Sequence, residues 1–366
     1  MFKKQFLSLA IGLFIYMNAF SIYRSEADEY GLVNDGPYIF IVNNELKVKW
    51  IQNNGLREDF ITRNNFGEIK KKFKLLFEYD NLKHTDLLRQ EYSQSNTMVD
   101  SIGIITDIHG EYGIYLKMLR AMGVIDKNLN WKFGSGHLVV LGDIFDRGNM
   151  VTEVLWHLFG LEKQAEKSGG MVHVLLGNHE LMVLGKNPGY ISRKYRNVEE
   201  ISNTRYYDLY SDSSVLGRWL RYKPVMITIN DIIFVHAGIS IELVNRNLTI
   251  DQINREFSDN ILGKNPEQVD NDEEFAFLNK DKGPIWYRGY FSDTSFCAVR
   301  LDSILDFYGK DHIVIGHTPH KGIVSLFNNK IFGTDTGIMY KRPDEMLMYK
   351  NGTFYKALIN GTRVKL

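Results

Sequence analysis

Five short segments carrying carboxylates, imidazoles and one amide follow one another along the chain: Asp107-Ile108-His109-Gly110, Gly142-Asp143-Ile144-Phe145-Asp146-Arg147-Gly148, Gly177-Asn178-His179-Glu180, His236-Ala237-Gly238 and Gly316-His317-Thr318. Gathered in one place they make the ligand set of a two-metal hydrolytic site. Two divalent cations about 4 Å apart need one shared anionic ligand, and each needs further oxygen or nitrogen donors. Asp143 is the expected bridge. Asp107 and His109, two residues apart, join it at one ion, while Asn178, His236 and His317 bring an amide oxygen and two imidazoles to the other. Such a mixture suits manganese, iron or zinc better than calcium or a thiolate-seeking metal.

An ion pair of this kind lowers the pKa of bound water and places a hydroxide for in-line attack on phosphorus, so no covalent nucleophile is required. The leaving oxygen still needs a proton. His179, adjacent to a ligand and not needed as one, is the expected general acid, with Asp146 fixing its tautomer. Arg147 would present a planar cation to phosphate oxygens. Because transition-state charge spreads over three equatorial oxygens, a second arginine is expected: Arg288 in Trp286-Tyr287-Arg288-Gly289, or Arg205 as the weaker choice. A structural ion pair is the competing reading of Arg288. Glu180 is expected to accept hydrogen bonds and to take no chemical step.

These residues need elements to hold them. Residues 102–105, 138–141, 172–176, 232–235 and 313–315 are short aliphatic runs rich in β-branched side chains, and each stops just before one segment. They read as strands of a central sheet buried on both faces, and ligands gather at the loops that follow strand ends. Residues 111–122 and 151–167 have helical spacing, with Gly123 placed to end the first, so the pattern is strand, ligand loop, helix. Thr249 and Gln252 form a capping-box pattern. Residues 265–282 read as an exposed loop, and 346–349 with 354–359 as a hairpin about Asn351-Gly352.

The flanks are less chemical. Lys3 and Lys4 lead into an apolar stretch, 6–20, and Ala19-Phe20-Ser21 offers small residues two apart. This predicts a cleaved secretory signal over residues 1–21, because a membrane span needs about 20 apolar residues; an uncleaved anchor is the competing reading. A secreted or periplasmic protein with no stable span after cleavage is expected. Residues 22–98 read as an N-terminal elaboration containing a hairpin at 38–50, and 99–366 as the main domain. Within it, residues 185–222 are rich in arginine, lysine and tyrosine and are expected to form a cap-like insertion, its charges either meeting a phosphorylated substrate or covering a helical surface. With 44 basic and 44 acidic side chains, no global field draws the protein to nucleic acid or an anionic membrane. Cys297 is the single cysteine, which excludes an intramolecular disulfide; it reads as a small buried hydrophobe.

The Asp143–Gly148 and Gly177–Glu180 segments resemble the hallmark motifs of the calcineurin-like metallophosphoesterase superfamily, specifically its phosphoprotein phosphatase branch. The likeness spans about residues 100–337. It implies an α/β fold with a layered β-sandwich core flanked by helices, and it assigns the same roles: Asp107, His109, Asp143, Asn178, His236 and His317 to the metals, His179 with Asp146 to the acid pair, Arg147 with Arg288 to the phosphate. Thr106 stands where that branch usually has glycine, and Gly316-His317-Thr318 replaces an arginine-containing context. The whole is more similar to the Shewanella-like phosphatases of bacterial type, which implies a phosphoprotein substrate and a preference for phosphotyrosine. Two other readings compete: a diadenosine-polyphosphate hydrolase or phosphodiesterase using the same ligands, and a non-catalytic binding protein that keeps the fold.

Overall fold

In the computed structural model residues 31–83, 98–341 and 345–366 are described; the apolar segment expected to be a signal lies outside them. Fourteen strands among the described residues form three sheets. The five aliphatic runs are all strands, and they divide between two sheets instead of lining one. β4 (Ser101–Ile105), β5 (His137–Val140) and β6 (Met171–Val174) pair in parallel, and β12 (Glu345–Lys350), β13 (Thr353–Leu358) and β14 (Arg363–Lys365) extend that sheet antiparallel from β4. The second sheet has the order β10 (Val324–Leu326), β11 (Ile331–Gly333), β9 (His312–Ile315), β8 (Ile232–Val235) and β7 (Met226–Ile229).

Alternation along the strands explains the sandwich. Ile102, Ile104, Val139 and Leu141 from the first sheet meet Ile227, Phe234, Val314 and Phe332 from the second in one buried cluster. Their neighbours Ile105, Leu138 and Val140 turn the other way, toward Leu119, Leu155 and Phe159 of the covering helices. Strands buried on both faces carry apolar residues at every position, so a continuous run does not reveal how many sheets share it.

The helices sit where their spacing puts them. With α1 taken as Phe66–Phe73, α2 is Tyr112–Met122, closed by Gly123 at φ 80°, and α3 is Val151–Lys167. The capping box of the helix Ile250–Glu256 forms, Gln252 N–H donating to Thr249 Oγ1 at 3.3 Å and Thr249 N–H to Gln252 Oε1 at 2.9 Å. β12 and β13 turn at Asn351-Gly352, both at positive φ.

β1 (Asp35–Val42) and β2 (Glu45–Gln52) make the N-terminal hairpin, and a third strand, β3 (Gly55–Ile61), follows a second Asn-Asn turn. Two further corrections concern the surface. Residues 265–282 hold two short helices, Pro266–Asp270 and Glu273–Leu278, each with a side-chain N-cap. Cys297 is exposed, because it occupies the N-cap of the helix Ala298–Tyr308 where it faces solvent. Within residues 185–222, α5 (Arg193–Ser202) and α6 (Val215–Arg221), following α4 (Asn178–Leu184), pack on the N-terminal sheet with Tyr195, Tyr206 and Tyr210 buried and Arg193, Arg196 and Arg205 exposed. The Tyr195 hydroxyl reaches the start of α3, accepting from Val151 N–H at 2.7 Å and Thr152 N–H at 3.2 Å. No helix among the described residues is long and apolar enough to cross a membrane.

Candidate active site

Each expected ligand lies just beyond a strand end or at the start of a helix. Asp107 and His109 follow β4, Asp143 follows β5, Asn178 opens α4 after β6, His236 follows β8 and His317 follows β9. The loops turn abruptly. Asp107, His109, Asp143, Asp146, Arg147 and His317 all have positive φ, between 46° and 70°, a conformation that costs non-glycine residues energy and collects at functional sites. Gly142 at φ 88° and Gly177 let two of these loops touch, since a Cβ on Gly142 would sit 2.3 Å from Gly177 N, and one on Gly177 would sit 2.3 Å from Asp143 Oδ1.

Asp143 is the hub. Its Oδ2 lies 3.4 Å from His236 Nε2 and 3.8 Å from both His109 Nε2 and His179 Nε2. His236 Nε2 is 3.0 Å from Asn178 Oδ1 and 3.2 Å from His317 Nδ1. Two groups of donor atoms therefore share Asp143: His109 with His179 on one side, His236 with His317 on the other, each group lying within 4.8 Å. Backbone carbonyls orient two of the rings from behind, Phe145 O meeting His109 Nδ1 at 2.8 Å and Leu141 O meeting His236 Nδ1 at 2.6 Å. This is how proteins fix the tautomer of a ligating histidine.

Asp107 lies beside the two compact groups rather than within either. Its Oδ2 accepts from His317 N–H at 3.0 Å and from the Thr106 hydroxyl, and His179 stands with His109 and Asp143 in one of those groups. The acid pair forms: His179 Nδ1 and Asp146 Oδ2 are 2.6 Å apart. Arg147 is exposed beside it, one guanidinium nitrogen 3.5 Å from His179 Nε2. Arg288, also exposed, donates to His317 O at 3.1 Å and Thr318 Oγ1 at 3.2 Å, which brings it against the opposite ligand loop. Arg205 is exposed at the N-cap of the turn Tyr206–Tyr210.

The electrostatics fit a cation. Burial alone would raise the Asp143 carboxyl, but His236, His179 and His109 hold it well below the usual range. Burial opposes a proton on His236, yet Asp143 and Asp107 outweigh it and lift its pKa to about 9. Burial pushes His109 down to about 4, and burial with the neighbouring His236 pushes His317 to about 2. The buried Nε2 of His317 has no hydrogen-bond partner. A crowd of buried imidazoles around one carboxylate, with an orphaned nitrogen among them, is what divalent metal ions satisfy.

Glu180 accepts hydrogen bonds as expected, while two further contributors, Asp335 and Tyr190, were not read in the chain. The Glu180 carboxylate accepts from four backbone N–H groups, Asp143 and Ile144 at 2.7 Å, Phe145 at 3.2 Å and Gly177 at 2.7 Å, clamping two ligand loops together. Asp335, buried after β11, has its carboxyl raised to about 6 by burial and by Asp143; the run Ile331-Phe332 ending before Thr334-Asp335 carries the same strand-then-acid signal as the five segments. Tyr190 lies beside the acid pair, its carbonyl accepting from Arg147 N–H at 2.9 Å.

Residues 101–321 match the family described as calcineurin-like phosphoesterase, and the chain belongs to that family. Shewanella-like protein phosphatase 1 of Plasmodium berghei is 31% identical over 275 residues, 71% of this chain and 69% of the relative. Shewanella-like protein phosphatase 2 of Arabidopsis thaliana is 22% identical over 305 residues, 71% of this chain and 75% of the relative. The crystal structure of the cold-active protein-tyrosine phosphatase of a psychrophilic Shewanella species is similar with a TM-score of 0.80 at 34% identity, covering 91% of this chain and 99% of that one.

Proposed function

We propose that this protein is a metal-dependent protein phosphatase that hydrolyses phosphomonoesters of phosphoproteins and prefers phosphotyrosine. The observation that carries the reading is Asp143, whose one oxygen faces His236 at 3.4 Å and His109 at 3.8 Å. Asp143 would bridge two divalent ions, manganese, iron or zinc, with His109 and Asp107 toward one and Asn178, His236 and His317 toward the other. Bound there, the ions supply Lewis-acid activation of water and of the phosphoryl oxygens. The chain does the rest. Arg147 and Arg288, on opposite sides of the cluster, bind and orient the equatorial oxygens. His179, held by Asp146, donates its proton from Nε2 to the leaving oxygen. The relatives named as protein phosphatases and the protein-tyrosine phosphatase structure support the substrate class.

The test is a panel of para-nitrophenyl phosphate, its bis-ester, phosphotyrosine and phosphoserine peptides and a dinucleoside polyphosphate, run with manganese, iron and zinc in turn. Turnover of the monoesters and not of the bis-ester or dinucleotide is expected; the reverse order would establish a phosphodiesterase or diadenosine-polyphosphate hydrolase. The same reading includes export with loss of residues 1–21, which N-terminal sequencing of the mature protein tests.

A further inference from the structure

Tyr190 is an anomaly among the tyrosines of its segment. Where Tyr195, Tyr206 and Tyr210 are buried, Tyr190 is 54% exposed, and it stands against the two residues that meet the leaving group. Its ring centroid is 5.3 Å from that of His179 and 5.4 Å from the Arg147 guanidinium carbon. Its carbonyl takes the Arg147 N–H at 2.9 Å, so backbone and ring are fixed to the same corner. A tyrosine ring at the surface offers an apolar face to a partner while its hydroxyl stays in water.

The direction of the chemistry says what that is. The acid must meet the leaving oxygen, so the organic part of the substrate extends from the His179 side of the cluster. The Tyr190 ring lies on that side, 5.3 Å from the His179 ring. Trp286, another aromatic near the cluster, has its ring 5.8 Å from that of His317 and so belongs to the opposite group of donors. We propose that Tyr190 is the aryl platform of the site: the phenyl ring of a phosphotyrosine packs on it, and this contact discriminates phosphotyrosine from phosphoserine. A serine side chain, with one carbon between backbone and oxygen, holds no ring to place there. The inference rests on the phosphatase reading above and names the residue that sets its selectivity.

The experiment compares wild type, Tyr190→Ala and Tyr190→Phe on phosphotyrosine and phosphoserine peptides of one sequence, with inhibition by inorganic phosphate measured alongside. Tyr190→Ala is expected to lower the phosphotyrosine to phosphoserine ratio of kcat/KM by about tenfold, largely through KM, as loss of a packed aromatic pair implies. Tyr190→Phe should restore the ratio. Inorganic phosphate, which reads the arginines without an aryl group, should shift less than the phosphotyrosine KM. Equal losses on both peptides, or an equal shift for phosphate, would mean that Tyr190 acts only through the Arg147 loop and would overturn the platform. A wild type inactive on both peptides would instead overturn the phosphatase reading beneath it.

Discussion

The His179 ring joins two carboxylates: its Nδ1 lies 2.6 Å from Asp146 Oδ2 and its Nε2 lies 3.8 Å from Asp143 Oδ2. Asp146 therefore settles which nitrogen faces the centre. The same geometry allows two roles, acid or ligand, and they give different measurements. As the acid, His179→Asn keeps its metal, loses about 10² to 10⁴ in kcat on unactivated phosphotyrosine esters, and loses much less on para-nitrophenyl phosphate. Metal analysis with kinetics on the two esters decides. Equal loss on both, or loss of metal, makes His179 a ligand.

Asp143→Asn is expected to abolish both metal retention and turnover. The carboxylate is the one anionic group shared by the two clusters of donor atoms, and an amide in its place removes the charge that both ions would share. Elemental analysis of the purified variant is the check; full metal content would contradict the bridging role.

Glu180→Gln should lower stability by about 1–3 kcal/mol for each N–H left without an acceptor. The carboxylate accepts all four bonds because it carries no donor, whereas the amide turns an N–H₂ toward at least one N–H. Because those bonds tie the Asp143 loop to Gly177, metal affinity should fall too. Thermal unfolding with and without metal measures both effects, and a variant with unchanged melting and affinity would refute the clamp.

The pattern of strand, ligand loop and helix was legible because burial on both faces demands aliphatic runs, and a polar residue ending such a run has few reasons to be there. Asp143, Asn178, His236 and His317 were found that way. Asp335 followed a run only two residues long, and Tyr190 followed none. The division into two sheets was hidden by the same double burial that exposed the strands. β3 was missed because its exposed residues, Arg57, Glu58 and Asp59, lack alternation, and Lys47 and Lys49 of β2 balance Glu58 across the pair. The role of residues 185–222 depends on partners more than a hundred residues away, such as Asp35, and no local pattern records them.

That long-range tie carries its own prediction. Lys194 is buried, with Nζ 2.5 Å from Asp35 Oδ1, 3.7 Å from Glu153 Oε1 and 2.7 Å from Asn149 O. Lys194→Met strands the buried Asp35 carboxylate and unpairs the partly exposed Glu153, and should cost about 3–5 kcal/mol. It also frees the loop after Arg147. Urea denaturation should register the loss, and adding Asp35→Asn should recover part of it; independent, additive effects would contradict a shared network.

Acid should destabilise the fold through histidines far from the cluster. His173 Nε2 and His137 Nδ1 are 3.0 Å apart across β5 and β6, and burial pushes the two down to about 3 and about 4. Burial likewise holds His157 at about 4, between the Tyr115 hydroxyl and Leu129 O. The unfolded chain protonates such groups below about 6.5. Between that value and about 4 the unfolded state binds more protons, so their contribution is complete above pH 6.5 and is lost as pH falls through the folded values. Glu153 runs the other way: burial raises it to about 7, and its contribution is lost as pH rises through that value. The urea midpoint should therefore drop on acidification from pH 6.5 to 4.5, and drop less steeply in His137→Asn/His173→Asn, where Glu153 is unchanged. An identical slope in that double variant would remove the histidine pair from the account.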